Sequence, residues 1–202
     1  MKQRLTWETR RNLLSNQEIY RLRDIALLSK KLIQKKRNDE KELGSPFYWK
    51  ALDMASRDEI LNESVRGYLH QFIRDQRFTN IASQYLDDVY LFNDQFVTKL
   101  KNESFNFSRH TDNQFNIGKE YEGLTLTFVL DDFTELNGPI QVEDVTDNKW
   151  TTLLPKRGDV IVMNHNTPHR SSNNQTKESR SVYIIHYTNG FCDARFHQEL
   201  LK

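Results

Sequence analysis

The spacing of apolar residues changes near Asp87 and divides the chain into two parts. Before Asp87, apolar residues recur every three or four positions, which is typical of amphipathic helices. Ser15 and Glu18 match a helical capping box, which marks where a helix begins. The apolar residues that follow at helical spacing are Ile19, Leu22, Ile25, Ala26, Leu28, Leu32 and Ile33. The pattern predicts a long helix that begins near Ser15.

Two more helices are predicted before Asp87. Ser56 and Glu59 repeat the capping-box spacing. The apolar residues that follow them are Leu61, Val65, Leu69 and Phe72. A shorter helix is predicted over Asn80 to Leu86. We interpret the basic run from Lys30 to Arg37 as the solvated end of the first helix, where cations complement the helix dipole.

After Asp87 the pattern is that of short strands, rich in aromatic and branched residues and separated by turns at Gly138 and Gly158. The predicted strands are Val89 to Phe92, Phe96 to Leu100, Phe105 to Arg109, Leu124 to Leu130, Pro139 to Val142, Thr151 to Leu154, Asp159 to Asn164 and Val182 to Tyr187. Many short strands at close spacing indicate a sandwich or barrel. We therefore predict one domain, 1–202, mostly β with flanking α: a helical support over 1–86, a β core over 87–190 and a tail over 191–202.

The composition of the chain indicates which class of partner it binds. The chain has 202 residues, a formal net charge of +1 and a single cysteine, Cys192. A balanced charge gives no long-range field to attract nucleic acid or an anionic membrane, so we expect a small-molecule partner. No segment has the character of a signal peptide or a membrane span, and one cysteine cannot form an internal disulfide. These features predict a cytoplasmic protein and give no indication of its oligomeric state.

The segment His110-Thr111-Asp112 follows a predicted strand and carries candidate metal ligands. In an extended segment, residues i and i+2 point to the same face, so the imidazole and the carboxylate converge. A metal bound there needs a third ligand, and His169 follows a later predicted strand. Two histidines and one carboxylate leave three positions of an iron ion open, as a cosubstrate and oxygen require.

Arg180 lies eleven residues beyond His169, at the start of another predicted strand. An unpaired guanidinium is costly inside a barrel, but it becomes favourable when a carboxylate forms a bidentate pair with it. A dicarboxylate that chelates iron at one end and meets arginine at the other would suit this arrangement.

Five separate segments, in this order and spacing, resemble the phytanoyl-CoA dioxygenase (PhyH-like) group of 2-oxoglutarate oxygenases. The resemblance covers most of Asp87 to Thr188, and residues 89–99 also look like the strand pair that precedes the motif. The matching segments are Phe107-Ser-Arg-His-Thr-Asp-Asn113, Val129-Leu-Asp-Asp-Phe-Thr-Glu-Leu-Asn-Gly-Pro-Ile-Gln-Val142, Gly158-Asp-Val-Ile-Val-Met163, Pro168-His-Arg-Ser-Ser-Asn173 and Ser179-Arg-Ser-Val182.

The resemblance implies a double-stranded β-helix (jelly-roll, cupin-like) fold and Fe(II)/2-oxoglutarate chemistry with O2 as cosubstrate. It implies that His110, Asp112 and His169 are the iron ligands and that Arg180 binds the distal carboxylate of 2-oxoglutarate. Thr127 and Ser171 stand where this family often places further cosubstrate contacts. Arg170 departs from the pattern, because a small residue is usual there, next to the predicted substrate mouth.

Several single residues have alternative interpretations. His165 is a second candidate for the third ligand, but we favour His169 because Ser171 and Arg180 follow it in the family's order. We interpret His186 as a core histidine with its hydrogen bonds satisfied, although it could face the interior. Lys99 is expected to extend towards solvent, with a role in holding a carboxylate as the alternative. Cys192 is expected to be an inert thiol.

The predicted activity is hydroxylation of a C–H bond of a small molecule, with release of succinate and CO2. The carboxylate of Asp112 favours hydroxylation or desaturation over halogenation, since related halogenases lack it. Two other classes stay open. One is a catalytically silent jelly-roll module that binds metal, and the other is an oxygenase of the same chemistry directed at nucleic acid or protein.

Overall fold

The computed structural model describes residues 5–42, 54–101, 106–115, 122–144, 146–190 and 199–201. The helices of these ranges are α1 (Asn16–Glu42), α2 (Glu63–Ile73), α3 (Gln76–Ala82) and a short 3-10 helix, Asp112–Phe115. The strands are β1 (Trp7–Arg10), β2 (Tyr90–Lys99), β3 (Phe107–His110), β4 (Gly123–Val129), β5 (Ile140–Asp144), β6 (Lys149–Thr152), β7 (Val160–Asn164), β8 (His169–Ser171), β9 (Arg180–Thr188) and β10 (Glu199–Leu200).

The strands form two antiparallel sheets. The larger sheet has the order β1-β7-β4-β9-β2-β10, and the smaller has the order β3-β8-β5-β6. The protein is therefore mostly β with flanking helices, which confirms the predicted class at this level. None of the helices described is long and apolar enough to cross a membrane.

The larger sheet is buried on both faces at its central strands β4 and β9, which are almost uninterrupted runs of buried residues. On β4, Leu124, Leu126 and Phe128 belong to the core that the sheet shares with the helices. The alternate residues Thr125 and Thr127 line a cavity on the opposite face. The period-two alternation of a strand thus places its two threonines on the side of the smaller sheet.

The predicted start of α1 is confirmed in detail. The Glu18 backbone N–H donates to Ser15 Oγ at 3.3 Å, and the Ser15 backbone N–H donates to Glu18 Oε2 at 2.8 Å. This reciprocal pair satisfies backbone donors that a helix start leaves without partners. Arg77, the second residue of α3, forms an ion pair with the same Glu18 and so connects α3 to the start of α1.

The second predicted capping box is wrong. Helix α2 begins at Glu63 and is capped by Asn62, whose side chain accepts a hydrogen bond from the Val65 backbone. Ser56 instead donates to the buried carboxylate of Asp94 on β2, through its backbone N–H at 2.9 Å and its hydroxyl at 2.7 Å. Ser56 therefore binds a carboxylate from a distant strand, although the local spacing had predicted that it caps a helix.

Replacement of Ser56 with alanine should destabilise the protein by about 1–3 kcal/mol, because it leaves a buried carboxylate short of one donor. Replacement of Glu59 with alanine should have almost no effect, since Glu59 is exposed and caps no helix in the described chain. Urea denaturation of both variants checks this pair. Equal losses of stability in the two variants would favour the capping box instead.

Other boundaries also differ from the prediction. The helix predicted over Asn80 to Leu86 is α3, which begins earlier, at Gln76, because Asp75 caps it. The two strands predicted over Val89 to Phe92 and Phe96 to Leu100 are one strand, β2, with a bulge between Leu91 and Asn93. The pairing of this strand with β9 continues through the polar residues at its centre. Phe105, the predicted start of β3, lies outside the described residues.

Three strands were not predicted: β1, β8 and β10. Strand β1 is an edge strand of mixed polarity, and it pairs with β7 from Trp7↔Met163 to Arg10↔Val160. Just after β1, the Arg11 guanidinium and the Asn12 backbone N–H both bind Asp159, at 2.9 and 3.0 Å. The N-terminal part of the chain therefore adds a strand to the larger sheet as well as helices.

Candidate metal centre and cosubstrate pocket

The structure brings His110, Asp112 and His169 together at one end of the smaller sheet. Strands β3 and β8 are neighbours, and His110 is paired directly with His169 across them. One ligand atom from each of the three residues lies within 4.8 Å of the others. Asp112 is the first residue of the 3-10 helix, and its side chain joins the two histidines from there. The expectation of one extended segment was therefore wrong, although the two side chains converge as predicted.

Both imidazoles are held in the same way. His110 Nδ1 lies 2.7 Å from the Ser108 carbonyl oxygen, and His169 Nδ1 lies 3.0 Å from that of Thr167. A carbonyl can only accept, so each Nδ1 donates, and in the neutral form of each ring the lone pair is on Nε2. Such backbone anchoring is common for metal-binding histidines, because it fixes the tautomer and the ring orientation. Burial and the neighbouring His169 also lower the pKa of His110, which favours the neutral imidazole that a metal needs.

Asp112 directs its two oxygens to different partners. Oδ1 lies 3.6 Å from His169 Nε2, while Oδ2 accepts a 2.5 Å hydrogen bond from the Thr125 hydroxyl. Burial alone would raise the pKa of Asp112, but the surrounding imidazoles and Thr125 lower it to about 2. The side chain is therefore a carboxylate at neutral pH. Two neutral imidazoles and one carboxylate are a donor set that suits Fe(II) and leaves coordination positions open.

Arg180 is buried in the same cavity, with 2% of its surface exposed. Its Nε donates to the Asn137 carbonyl at 3.4 Å, its Nη2 donates to the Gly138 carbonyl, and its guanidinium lies over the Phe133 ring. Burial lowers the pKa of Arg180 to about 10, so it is still a cation at neutral pH. The charge of Asp131 opposes this lowering in part, but Asp131 forms its ion pair with Arg23, at 2.6 Å, and no carboxylate of the described residues forms an ion pair with the Arg180 guanidinium. Such a site favours a ligand that brings a carboxylate.

The cavity has a volume of about 130 Å³ and contains both the candidate metal ligands and Arg180. Several of the other side chains that line it are apolar. These are Val97, Ile140, Met163, Val182 and Ile184. The cavity thus combines a cluster of metal-ligand atoms and a buried cation with an apolar wall.

Thr127 and Ser171, the two predicted cosubstrate contacts, also line the cavity and are both buried. The Lys99 ammonium donates to Ser171 Oγ at 2.8 Å and to the Ser172 carbonyl. Lys99 is 1% exposed, so the expectation that it extends towards solvent was wrong. Because the ammonium is a donor only, the Ser171 hydroxyl keeps its own proton for another acceptor.

Arg170 lies between His169 and Ser171 on β8, but strand alternation turns its side chain away from theirs. Its Nε donates to Gln141 Oε1 at 2.8 Å, and its guanidinium stacks over the Trp150 ring at 3.9 Å. Arg170 thus packs within the smaller sheet, and it is also one of the residues that line the cavity. Cys192 lies outside the described residues.

A second group of side chains, Asp112, His165 and His186, also places ligand atoms within 4.8 Å of one another. His165 is fully buried, and burial followed by the neighbouring His186 lowers its pKa to about 3. His186 lines the cavity, as the alternative interpretation allowed, and its Nδ1 lies 3.1 Å from the Thr125 hydroxyl. Thr125 was not predicted, although the Thr-x-Thr alternation on β4 placed it on the same face as Thr127.

Gly123 faces the His165 ring so closely that a Cβ atom there would lie 1.9 Å from Nδ1. Replacement of Gly123 with alanine should destabilise the protein by about 1–3 kcal/mol, because the buried ring must move. The matched control is Gly67→Ala on α2, where a Cβ meets nothing within 4 Å and a small gain is expected. Urea denaturation measures both, and a neutral Gly123→Ala would contradict the close packing of His165.

Several solved protein structures are similar to the structure of this chain. AviO1 from Streptomyces viridochromogenes Tue57 matches with a TM-score of 0.69 and 19% identity over 95% of this chain and 91% of AviO1. SnoK, a non-heme alpha-ketoglutarate-dependent carbocyclase from nogalamycin biosynthesis, matches with a TM-score of 0.70 and 13% identity over 91% of this chain and 80% of SnoK. This chain has the fold of non-heme 2-oxoglutarate-dependent enzymes.

A third match is EvdO2 from Micromonospora carbonacea var. aurantiaca, whose structure was solved in complex with 2-oxoglutarate. Its TM-score is 0.62 with 16% identity, over 93% of this chain and 88% of EvdO2. No protein-family model and no curated protein sequence matches this chain. The cofactors predicted from the sequence agree with these structural neighbours and with the donor set in the cavity.

Proposed function

We propose that this protein is an Fe(II)/2-oxoglutarate-dependent dioxygenase that hydroxylates a C–H bond of a small molecule. His110, Asp112 and His169 are the iron ligands in this proposal, and Arg180 binds the distal carboxylate of 2-oxoglutarate. The observation that carries it is a buried guanidinium, with no carboxylate in ion-pair contact among the described residues, in the same cavity as the donor set.

The side chains that line the cavity suit a five-carbon keto diacid. Arg180 offers a charged hydrogen-bond fork to the distal carboxylate. The Ser171 hydroxyl, which accepts from Lys99, donates its own proton to the same carboxylate, and Thr127 adds a further contact. The apolar wall formed by residues such as Val97 and Val182 covers the two methylene groups and excludes water.

When bound, Fe(II) with 2-oxoglutarate and O2 supplies the oxidising power, and the cosubstrate leaves as succinate and CO2. The protein holds the two imidazoles through their Nδ1 atoms and keeps Asp112 ionised. The presence of that carboxylate favours hydroxylation or desaturation over halogenation. The identity of the substrate would be set by the residues around the cavity mouth.

The proposal also covers the type of β fold, the domain organisation and the cellular location. The two antiparallel sheets correspond to a double-stranded β-helix of the PhyH-like type, within one domain whose helices support the catalytic core. The single cysteine and the balanced charge suit a cytoplasmic enzyme that acts on a small molecule, not on nucleic acid.

The test is reconstitution of the protein with Fe(II) in the absence of oxygen, followed by a metabolite screen in air. The readout is substrate-stimulated release of succinate, and slow succinate release without substrate is also expected. A catalytically silent metal-binding module would bind Fe(II) and 2-oxoglutarate but release no succinate. That result would refute the proposed enzyme.

A further inference from the structure

Three cavity-lining residues outside the proposed ligand set form a chain of hydrogen bonds that ends on Asp112. Thr125, His186 and Gln95 lie on β4, β9 and β2, which are successive neighbours in the larger sheet. The Thr125 hydroxyl is 2.5 Å from Asp112 Oδ2 and 3.1 Å from His186 Nδ1. His186 Nε2 is 3.4 Å from the Gln95 side-chain amide.

The chain has one direction. A carboxylate can only accept, so the single proton of the Thr125 hydroxyl is donated to Asp112. The Thr125 oxygen must then accept from His186, which places a proton on Nδ1 of that ring. The same Nδ1 also lies 3.4 Å from His165 Nε2. In the neutral ring, His186 Nε2 then carries the lone pair and accepts from the Gln95 amide. The Thr125 hydroxyl and the His186 Nδ1–H therefore both point towards Asp112.

This arrangement gives the two oxygens of Asp112 different tasks. Oδ2 is occupied by Thr125, while Oδ1 faces His169 Nε2 at 3.6 Å within the candidate ligand group. A carboxylate that coordinated through both oxygens would occupy one more position on the metal. If each of the three residues supplied one atom to an iron ion, open positions would be left for a chelating keto acid and for oxygen.

We propose that Thr125, supported by His186 and Gln95, is a positioning residue that holds Asp112 as a one-oxygen ligand. This inference rests on the proposed function, because it concerns the same metal. It also accounts for the second group of ligand atoms, Asp112, His165 and His186. The Thr125 hydroxyl bonds both Asp112 and His186, so these atoms serve hydrogen bonding and not a second metal ion.

The experiment compares Thr125→Val with Thr125→Ser, with Co²⁺ as the metal probe. Valine keeps the shape but removes the hydroxyl, and serine restores it. Titration calorimetry should show Co²⁺ binding about 10- to 100-fold weaker in Thr125→Val and close to wild type in Thr125→Ser. The visible ligand-field spectrum of Co²⁺ with 2-oxoglutarate should change only in the valine variant, since it reports coordination directly.

The control for a purely structural effect is Thr98→Val. Thr98 is also a buried strand threonine, and its hydroxyl lies 3.0 Å from Ser181 Oγ, away from the cavity. This variant should lose stability, as measured by urea denaturation, yet keep the wild-type Co²⁺ affinity and spectrum. A second contrast is Thr127→Val, which should weaken 2-oxoglutarate binding without changing Co²⁺ affinity.

The outcomes of these experiments distinguish the positioning role of Thr125 from the proposed function. Wild-type Co²⁺ affinity and spectrum in Thr125→Val would overturn the positioning role while leaving the proposed function intact. Two Co²⁺ ions per wild-type chain would also overturn it, because the second group would then be a metal site. If the wild type binds no Co²⁺ and releases no succinate, the proposed function itself fails, and this inference fails with it.

Discussion

Replacement of Asp112 or His169 with alanine should reduce metal affinity by about 100-fold or more and remove succinate release. The loss of an outer-shell partner usually reduces metal affinity by about 10- to 100-fold, and the loss of a ligand should exceed this. In each variant two ligand atoms are left, which cannot hold the ion in the cavity. Iron content after anaerobic reconstitution and gel filtration measures the effect.

The control for these variants is His70→Gln on α2, which removes a histidine remote from the cavity. It should retain wild-type iron content and succinate release. Circular dichroism of all the variants establishes whether they fold. A folded Asp112→Ala or His169→Ala protein with full iron content and normal turnover would remove both residues from the ligand set.

Replacement of Arg180 with leucine should raise the KM for 2-oxoglutarate by about 10- to 100-fold with little change in metal affinity. Hydrogen bonds to charged groups contribute about 1.5–3 kcal/mol, which corresponds to about this range at 1.4 kcal/mol per factor of ten. Arg180→Lys keeps the charge but loses the planar fork, so an intermediate KM is expected. Steady-state succinate release at varied 2-oxoglutarate concentration provides the measurement.

The cosubstrate analogue 2-oxopentanoate tests recognition of the distal carboxylate directly, because it has a methyl group in place of that carboxylate. The wild type should strongly prefer 2-oxoglutarate, and Arg180→Leu should lose most of that preference. If the preference for the diacid survives in Arg180→Leu, another group recognises the distal carboxylate. Lys99 would then be the residue to examine, since its ammonium is buried beside Ser171.

Local sequence patterns were reliable where the interaction itself is local. The capping box of Ser15 and Glu18 forms as predicted, because both partners lie within one helical turn. The same spacing at Ser56 and Glu59 failed, since the buried carboxylate of Asp94 binds Ser56 from a distant strand. A short motif therefore predicts structure only when no stronger tertiary partner competes for its donor.

The candidate site also combines features that the sequence predicted with features that depend on tertiary contacts. The residue types, their order along the chain and the resemblance to the PhyH-like group together selected His110, Asp112, His169 and Arg180 as candidates. Their convergence depends on the pairing of β3 with β8 and on the 3-10 turn at Asp112. Neither feature has a clear pattern in the sequence, since β8 has only three residues.

The sequence by itself determined the class of fold, the first helix, most strands and the set of candidate ligands, because hydrophobic periodicity and side-chain chemistry are properties of short segments. Only the tertiary structure decided which polar groups support those ligands. Thr125, His186 and Gln95 come from three strands, and their contact with Asp112 arises when the larger sheet orders β4, β9 and β2 side by side. Strand order depends on the packing of the whole chain, so no local pattern could specify it.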